Sequence, residues 1–281
     1  MTEKERGQER GQERGQERGQ EPDPAPAGAA RAPLKVAAVQ FRGRRDAVEE
    51  RRARLAGYVA RALEEGARLV VAPELCCTGY LFRDEGEARS YAEGPSGPLA
   101  RLLAPLAARH GAWVVAGVVE GEGGWGPLYN SALIIAPSGA VTLYRKRLLF
   151  DEDTRWARPG EPSGGDDPYP LFSVEGRRAT VGICMDINDE RFTGFCRRQG
   201  VELIAFPTNW VSEGLAVAPY WAWRLDGCAA TLVAANSFGV ERRAGRAVTF
   251  SGESAVLNAP ERLLLALAPR RGEGVLTAEL P

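Results

Sequence analysis

The chain has 281 residues, of which 44% are hydrophobic and 26% are charged, and its formal net charge at pH 7 is −1. This composition is that of an ordinary globular protein, and the balanced charge, without a basic arm or stripe, argues against nucleic acid as a partner. The longest apolar runs are strand-sized, far short of the ~18 residues of a membrane span, and the N-terminus lacks the apolar core of a signal peptide. We therefore expect a cytoplasmic protein without a membrane contact.

The cysteines are five in number, no two of them form a CxxC pair, and two of them are adjacent (Cys76, Cys77, Cys184, Cys196 and Cys228). This pattern does not fit a disulfide framework or a zinc knuckle. It predicts free thiols in a reducing compartment.

Residues 1–33 differ in composition from the rest of the chain. They carry an ERGQ repeat followed by a segment rich in Pro, Gly and Ala, and strongly apolar side chains are almost absent. Such a segment cannot offset its ordering entropy by burying a core, so a disordered tail is predicted. Residues 34–281 contain no clear linker and are predicted to form one domain.

Strand and helix patterns alternate along residues 34–281. Apolar and β-branched runs predict strands at 34–41, 68–75, 112–120, 130–137, 140–146, 178–184, 202–209, 231–237, 250–257 and 262–269. Amphipathic patterns predict a helix over 47–66 capped by Asp46, then helices over 98–110, 189–199 and 221–232. This alternation, with some hairpins, predicts an α/β fold in which mixed sheets are stacked and covered by helices.

Three residues with reactive side chains stand where predicted strands end. Glu74 lies in VVAPELCCTGY, Lys146 in VTLYRKRLL and Cys184 in ATVGICMDIN. Strand ends on a rigid sheet can hold side chains precisely while still facing a pocket. The three positions therefore indicate a base, a cation and a nucleophile that could meet at one site.

Cys184 and Glu74 could each have a catalytic or a purely structural role. A buried strand cysteine is often an inert small hydrophobe, whereas Cys184 precedes a turn whose backbone N–H groups, such as that of Met185, could bind an oxyanion. A thiol with a pKa near 8.5 needs a base, but His110, the single histidine, stands at a predicted helix end. Glu74 is therefore the predicted base, with a structural carboxylate as the alternative. Lys146, one of only three lysines, is the predicted cation.

A glutamate before TGY, a lysine in YRK and a cysteine in GICxD, in this order, resemble the nitrilase superfamily of carbon–nitrogen hydrolases. The resemblance spans residues 34–267 and includes GPLYNSA, Pro159–Gly160 and SGESAVL. It implies a four-layer α-β-β-α sandwich with two mixed sheets, no metal or organic cofactor, and a homodimer or higher homo-oligomer.

The resemblance also implies the roles of the three residues. Glu74 would accept the proton of Cys184, and the thiolate would attack a carbonyl or nitrile carbon. Lys146 and the backbone amide of Met185 would stabilise the developing negative charge. Ammonia or an amine would leave, and Glu74 would activate water to hydrolyse the thioester. The expected substrate is a small amide or carbamoyl compound; the alternatives are a nitrilase and a non-catalytic scaffold.

Two departures from the family's pattern concern the substrate. Many members carry a second glutamate after the lysine, where this chain has Asp153 with Glu152 beside it, and either could fill that role. The usual Phe-Pro-Glu after the cysteine motif is replaced by NDERF. Three further side chains are candidates for a substrate wall, with ordinary packing as an equal alternative: Trp156, Asn209 and Trp210.

Overall fold

The computed structural model describes residues 31–121, 124–161, 169–258, 260–261 and 263–281. Of the predicted tail, all but the last three residues lie outside these ranges. Asp166 and Asp167, an acidic pair for which the sequence favours a solvated loop over a metal site, also lie outside them. Ala32–Pro281 forms one compact unit. Within the described ranges, none of the helices has the length and apolar character needed to cross a membrane.

The strands of the described residues are, in chain order, β1 (Leu34–Gln40), β2 (Leu69–Val71), β3 (Trp113–Glu120), β4 (Tyr129–Ile135), β5 (Val141–Arg145), β6 (Phe172–Val174), β7 (Arg177–Val181), β8 (Leu203–Thr208), β9 (Thr231–Asn236), β10 (Phe238–Arg243), β11 (Arg246–Ser251), β12 (Ala255–Asn258), β13 (Leu263–Leu267) and β14 (Gly274–Leu280). The α-helices are α1 (Val48–Glu64), α2 (Glu85–Arg89), α3 (Pro98–His110), α4 (Glu190–Arg198) and α5 (Ala218–Arg224). Short 3₁₀ helices cover Arg45–Ala47, Asp151–Arg155 and Cys184–Asn188.

Two six-stranded mixed sheets form the centre of this unit. The first has the order β14-β1-β2-β3-β4-β5 and the second the order β13-β12-β9-β8-β7-β6. In the first sheet β1, β2 and β3 are parallel, and in the second β7, β8 and β9 are parallel, while the outer strands are antiparallel. Strands β10 and β11 form a separate antiparallel hairpin. The predicted α/β class with two mixed sheets is confirmed.

The alternation of side chains along β1 explains the layering. Val36 and Ala38 belong to the core that includes residues of the second sheet, whereas Ala37 and Val39 belong to the core shared with α1 and α3. Successive strand residues point to opposite faces, so a run that is apolar at every position must be buried on both sides. The second sheet is covered in the same way by α4 and α5, through residues such as Phe195. The result is the predicted four-layer α-β-β-α sandwich.

The covering helices bury one apolar stripe each. In α1 the buried residues Leu55, Val59 and Ala62 recur at helical spacing, and in α3 Leu99 and Leu103 do the same. Helix α3 has Pro98 in its first turn and ends at Gly111, which adopts the left-handed conformation that glycine tolerates.

Several predicted boundaries were wrong. Asp46 does not cap α1, because its carboxylate binds the guanidinium of Arg44 at 2.7 Å and a 3₁₀ turn precedes the helix. The helix predicted over 221–232 begins earlier and ends at Arg224, since the chain turns at Gly227 with a positive φ. Cys228 therefore lies beyond the helix.

The end of the chain also differs from the prediction. Strand β14 was not predicted, although it pairs with β1 along its whole length, from Leu34 opposite Leu280 to Gln40 opposite Gly274. The hairpin of β10 and β11 was missed as well. Both elements have mixed polar and apolar sequences whose strand conformation depends on partners that are distant or only weakly signalled in the sequence.

Candidate active site

Glu74 lies just beyond β2, where the chain crosses the neighbouring strand at close range. A Cβ atom on Gly117 of β3 would stand 2.5 Å from the Glu74 Cα and the Leu75 nitrogen, so only glycine allows this approach. Hydrogen bonds on both sides hold the crossing, with the Gly117 N–H donating to the Pro73 carbonyl (3.0 Å) and the Cys76 N–H donating to the Gly117 carbonyl (3.0 Å). The backbone of Glu74 is thereby fixed against the sheet.

Lys146 follows β5 and is fully buried. Its Nζ lies 2.6 Å from Glu74 Oε1 and 2.6 Å from Asp153 Oδ2. Asn130 Nδ2 donates to both carboxylates, at 2.7 Å to Glu74 and 3.1 Å to Asp153. The backbone of Lys146 is held from two directions, by the Asn130 carbonyl (2.8 Å) and the Gly160 N–H (2.9 Å). Two carboxylates, one ammonium and one amide therefore form a closed polar cluster.

Burial and charge shift the pKa values in this cluster. Burial raises the pKa of the Glu74 carboxyl above its ordinary value, and the nearby negative charge of Asp153 acts in the same direction, although Lys146 opposes both. Burial lowers the pKa of Lys146, but the charges of Asp153 and Glu74 together outweigh it, so that this pKa stands well above its ordinary value. Lys146 is therefore a permanent cation.

Cys184 stands at a sharp turn between β7 and the 3₁₀ helix that it begins. Its φ is 45°, a left-handed conformation that costs a non-glycine residue about 1–3 kcal/mol. Nearby, the Asp186 carboxylate accepts hydrogen bonds from the N–H of Ile183 (2.9 Å) and from the Tyr144 hydroxyl (2.8 Å). These bonds hold the turn in its strained form.

The thiol of Cys184 lies within electrostatic range of the buried cluster. Burial raises its pKa well above the ordinary value, the charge of Glu74 raises it further, and Lys146 lowers it. Asn209 connects the two parts of the site, because its N–H donates to Glu74 Oε2 (2.8 Å) and its Nδ2 to the Glu74 carbonyl (2.8 Å), while it also lies on the cavity wall with Cys184. The surroundings of Cys184 therefore favour the thiol over the thiolate.

A cavity of about 350 Å³ opens in front of Cys184. Its described lining consists of Tyr80, Phe150, Cys184, Met185, Asn188, Asn209, Trp210, Val211, Glu213, Leu215, Ala216, Val217 and Tyr220. Met185, Asn209 and Trp210 thus lie on the same cavity wall as Cys184. Trp156 does not line the cavity: its buried ring packs edge-on against Phe82, at 5.2 Å between ring centroids, in an apolar cluster.

The two acidic candidates after Lys146 are separated by the structure. Asp153 contacts Lys146 and is fully buried, and its Oδ2 also accepts from the Phe150 N–H at 3.0 Å. Glu152 points away from the cluster and pairs with Arg246 and, at 3.2 Å, with Arg155. Successive residues of the 3₁₀ helix point in different directions, and only the shorter aspartate reaches the ammonium.

Sequence reasoning missed three residues of this site. Asn130 binds both carboxylates, Asp186 holds the turn at Cys184, and Tyr80 lines the cavity. Each lies within a motif of the resemblance, in GPLYNSA, GICMD and CTGY respectively. The signal that could have found Asn130 and Asp186 is polarity, because an amide or a carboxylate inside an otherwise apolar run requires a buried partner.

The described residues offer no group of three or more His, Cys, Asp or Glu side chains arranged to hold a metal ion. What the site does provide is a thiol on the cavity wall, with a carboxylate and an ammonium buried within electrostatic range of it. A carboxylate can move a proton, and a cation with a free N–H can stabilise an oxyanion. The arrangement is suited to acyl transfer through sulfur.

Comparisons with known proteins agree with this fold. The family model for carbon-nitrogen hydrolases matches residues 35–281. A nitrilase of Pyrococcus abyssi (strain GE5 / Orsay) is 30% identical over 249 residues, which cover 88% of this chain and 89% of that protein. The protein N-terminal amidase of Saccharomyces cerevisiae is 29% identical over 173 residues, or 52% of this chain and 37% of that protein.

A solved structure gives the same result. A cysteine-to-alanine mutant of the amidase from Nesterenkonia AN1, of the nitrilase superfamily, superposes with a TM-score of 0.73 at 24% identity, covering 88% of this chain and 90% of that one. Fold and family together define an α-β-β-α hydrolase of non-peptide carbon–nitrogen bonds. The chain belongs to the carbon-nitrogen hydrolase family, within the nitrilase superfamily.

Proposed function

We propose that this chain is a cysteine-dependent amidase that hydrolyses a small amide through a thioester. One observation carries the proposal: Cys184 borders a cavity, and its thiol lies within electrostatic range of a buried carboxylate and ammonium, Glu74 and Lys146, which are 2.6 Å apart. Catalytic thiols need a base at the moment of attack, and this chain supplies a carboxylate in that position.

In the proposed first step, Glu74 takes the proton of Cys184 while sulfur attacks the amide carbon. Glu74 Oε1 already accepts from Lys146 and Asn130, whereas Oε2 accepts the N–H of Asn209. Oε2 therefore retains a lone pair for the thiol proton. The raised pKa of Glu74 brings it closer to that of the groups whose protons it must exchange.

Lys146 and the Met185 backbone are the proposed donors to the oxyanion. An ammonium has three N–H bonds, and the two carboxylates at 2.6 Å use two of them, which leaves one for the substrate oxygen. Met185 is in the first turn of its 3₁₀ helix, where backbone N–H groups have no partner inside the helix. Removing one such donor typically costs about 3–4 kcal/mol in the transition state.

The second half of the reaction reverses these proton movements. Glu74 gives its proton to the leaving nitrogen, the C–N bond breaks, and ammonia departs from a thioester on Cys184. Glu74 then removes a proton from water, which attacks the thioester carbon, and the proton returns to sulfur as the acid is released. The net reaction consumes one amide and one water and yields one carboxylic acid and one ammonia.

A nitrile is the second candidate substrate, because the relative from Pyrococcus abyssi that matches 88% of this chain is named a nitrilase. An amide is preferred as the proposal because amidases are found both among the sequence relatives and among the structures with this fold. A matched amide and nitrile of the same carbon skeleton distinguish the two.

We also propose that residues 1–33 form a tail that is dispensable for catalysis. Deletion of residues 2–33 should leave the melting temperature and turnover unchanged. A lower melting temperature in the shortened protein would instead mean that part of the tail docks on the catalytic unit.

Ammonia release from a panel of small amides and their matched nitriles tests the proposed activity. Cys184→Ala and Glu74→Gln should abolish release while keeping a folded protein, and Cys196→Ala, which removes another buried thiol, should retain it. Acrylamide is a useful probe of the thiol, since a mutant of the Nesterenkonia amidase is described with acrylamide added at its active-site cysteine. Intact mass should show the adduct on the wild type and not on Cys184→Ala. Release of ammonia by Cys184→Ala would refute the proposal.

A further inference from the structure

The charge of the cavity wall limits the substrates that can enter it. Of the described residues that line the cavity, Glu213 is the only one with a side chain charged at neutral pH. Glu213 lies exposed in the segment between β8 and α5, and it forms no ion pair with another described residue. Within the part of the chain that the structure describes, the cavity wall therefore carries one negative charge with no ion-pair partner.

The polar cluster behind Cys184 has the same sign. Two carboxylates, Glu74 and Asp153, share the single ammonium of Lys146, so the ionised cluster has a net charge of −1. A carboxylate on a substrate would thus be repelled by Glu213 on the wall and by the cluster behind Cys184, whereas a cation would be attracted.

No arginine is among the described residues that line the cavity. Arg224 donates to the carbonyls of Ile187 (3.2 Å) and Asn188 (2.8 Å) and does not line the cavity. Arg270 pairs with Glu253 at 2.8 Å. The described part of the wall thus offers no cation to bind a substrate carboxylate.

Aromatic rings complete the wall. Trp210 and Tyr220 lie with ring centroids 5.4 Å apart, and both line the cavity. Tyr220 is fixed by a hydrogen bond from its hydroxyl to Asn188 Oδ1 (2.7 Å), and the Trp210 ring meets Trp221 edge-on at 5.7 Å. Aromatic faces bind ammonium groups as well as alkyl chains. The wall is therefore suited to an alkyl tail that ends in a cation.

We propose that the cavity selects linear primary amides whose far end carries an ammonium group, with Glu213 as the residue that determines this preference. The inference rests on the proposed amidase function and specifies its substrate class. The amide group is held at Cys184, the alkyl chain lies along Trp210 and Tyr220, and the ammonium is paired with Glu213. Amides with a terminal carboxylate are disfavoured by the same field.

Three amides of similar length test the inference: 5-aminopentanamide, hexanamide and the monoamide of glutaric acid. We expect kcat/KM to be highest for the ammonium compound, roughly threefold to tenfold above the neutral amide, and lowest for the carboxylate. Glu213→Gln should remove most of the advantage of the ammonium over the neutral compound, chiefly through KM. Added salt should reduce the ratio of kcat/KM for the ammonium amide to kcat/KM for the neutral amide, because salt screens an exposed charge.

A matched control is Glu175→Gln, which neutralises an exposed glutamate on the turn between β6 and β7 and should leave the ratio unchanged. Equal kcat/KM for the ammonium and neutral amides, a preference for the carboxylate, or an unchanged ratio in Glu213→Gln would overturn the inference.

A second experiment measures binding separately from turnover. Calorimetry gives the dissociation constants of the three amides for Cys184→Ala, and these show the selectivity of the cavity without catalysis. If ammonia is released but the preference is absent, the inference fails while the amidase proposal stands.

Discussion

The carboxylate of Asp186 accepts a hydrogen bond from the backbone N–H of Leu148 at 2.9 Å. Asp186 lies two residues beyond Cys184, and Leu148 lies two residues beyond Lys146, so this bond joins the two segments that carry the thiol and the ammonium. The neighbouring N–H of Arg147 donates to the same oxygen at 3.1 Å. A buried carboxylate that does not line the cavity therefore links the segment of Cys184 to the segment of Lys146.

We expect Asp186→Asn to lower both stability and turnover. The amide keeps one acceptor oxygen, but its NH₂ group must face either the donors from the Lys146 segment or those from Ile183 and Tyr144. Leaving buried donors unpaired costs about 1–3 kcal/mol, and the strained turn at Cys184 loses its support. Denaturant unfolding and kcat measure the two effects. Asp46→Asn, at an exposed carboxylate bound to Arg44, is the control, and equal behaviour of the two variants would contradict the expectation.

The assignment of Asp153, and not Glu152, as the second acidic residue beside Lys146 can be tested by changing each side chain in turn. Asp153→Glu adds a methylene inside a fully buried cluster, where overpacking costs about 1–3 kcal/mol, and we expect kcat to fall roughly tenfold or more. Glu152→Gln removes only a partly exposed pairing with Arg246, worth about 1 kcal/mol or less, and should leave kcat within about twofold. Steady-state kinetics compare the two, and a larger loss in Glu152→Gln would show that the wrong acid has been assigned.

Gly117 offers a test of how Glu74 is positioned. In Gly117→Ala the new methyl group would lie 2.5 Å from backbone atoms of Glu74 and Leu75, which cannot yield as a flexible side chain could. We expect a loss of about 1–3 kcal/mol in unfolding free energy and a marked fall in kcat. Gly57→Ala, in the exposed face of α1 with open space around it, should stabilise the protein by about 0.5–1 kcal/mol and leave kcat unaltered. Full activity in Gly117→Ala would argue that Glu74 needs no such fixed position.

The pH dependence follows from the raised pKa of Glu74. A base must be ionised to accept a proton, so kcat/KM should fall as the pH drops through the pKa of Glu74, which burial has moved above its ordinary 4.5. The acid limb of the profile should accordingly have its midpoint above pH 4.5. Melting temperatures at each pH separate this limb from acid unfolding. A profile that stays flat down to pH 4.5 would be incompatible with Glu74 as the base.

Local sequence patterns were sufficient to predict most of the strands and the layered α/β architecture. The strand ends that carry Glu74, Lys146 and Cys184 were recognisable because apolar, β-branched runs stop there, and the layered α/β architecture followed from runs that are apolar on both faces. The same local reasoning failed at β14 and at the β10–β11 hairpin, whose strands are amphipathic and gain their stability from pairing.

The sequence by itself determined which thiol, carboxylate and amine stand near strand ends, their order along the chain and the family to which the chain belongs, since these depend on residue types and short motifs. Only the tertiary structure decided that Asp153 and not Glu152 meets Lys146, that Asn130 and Asp186 hold the site together, and that Trp156 lies in the core. These outcomes depend on the direction in which a side chain leaves a turn and on contacts between residues far apart in the chain, which no local pattern encodes.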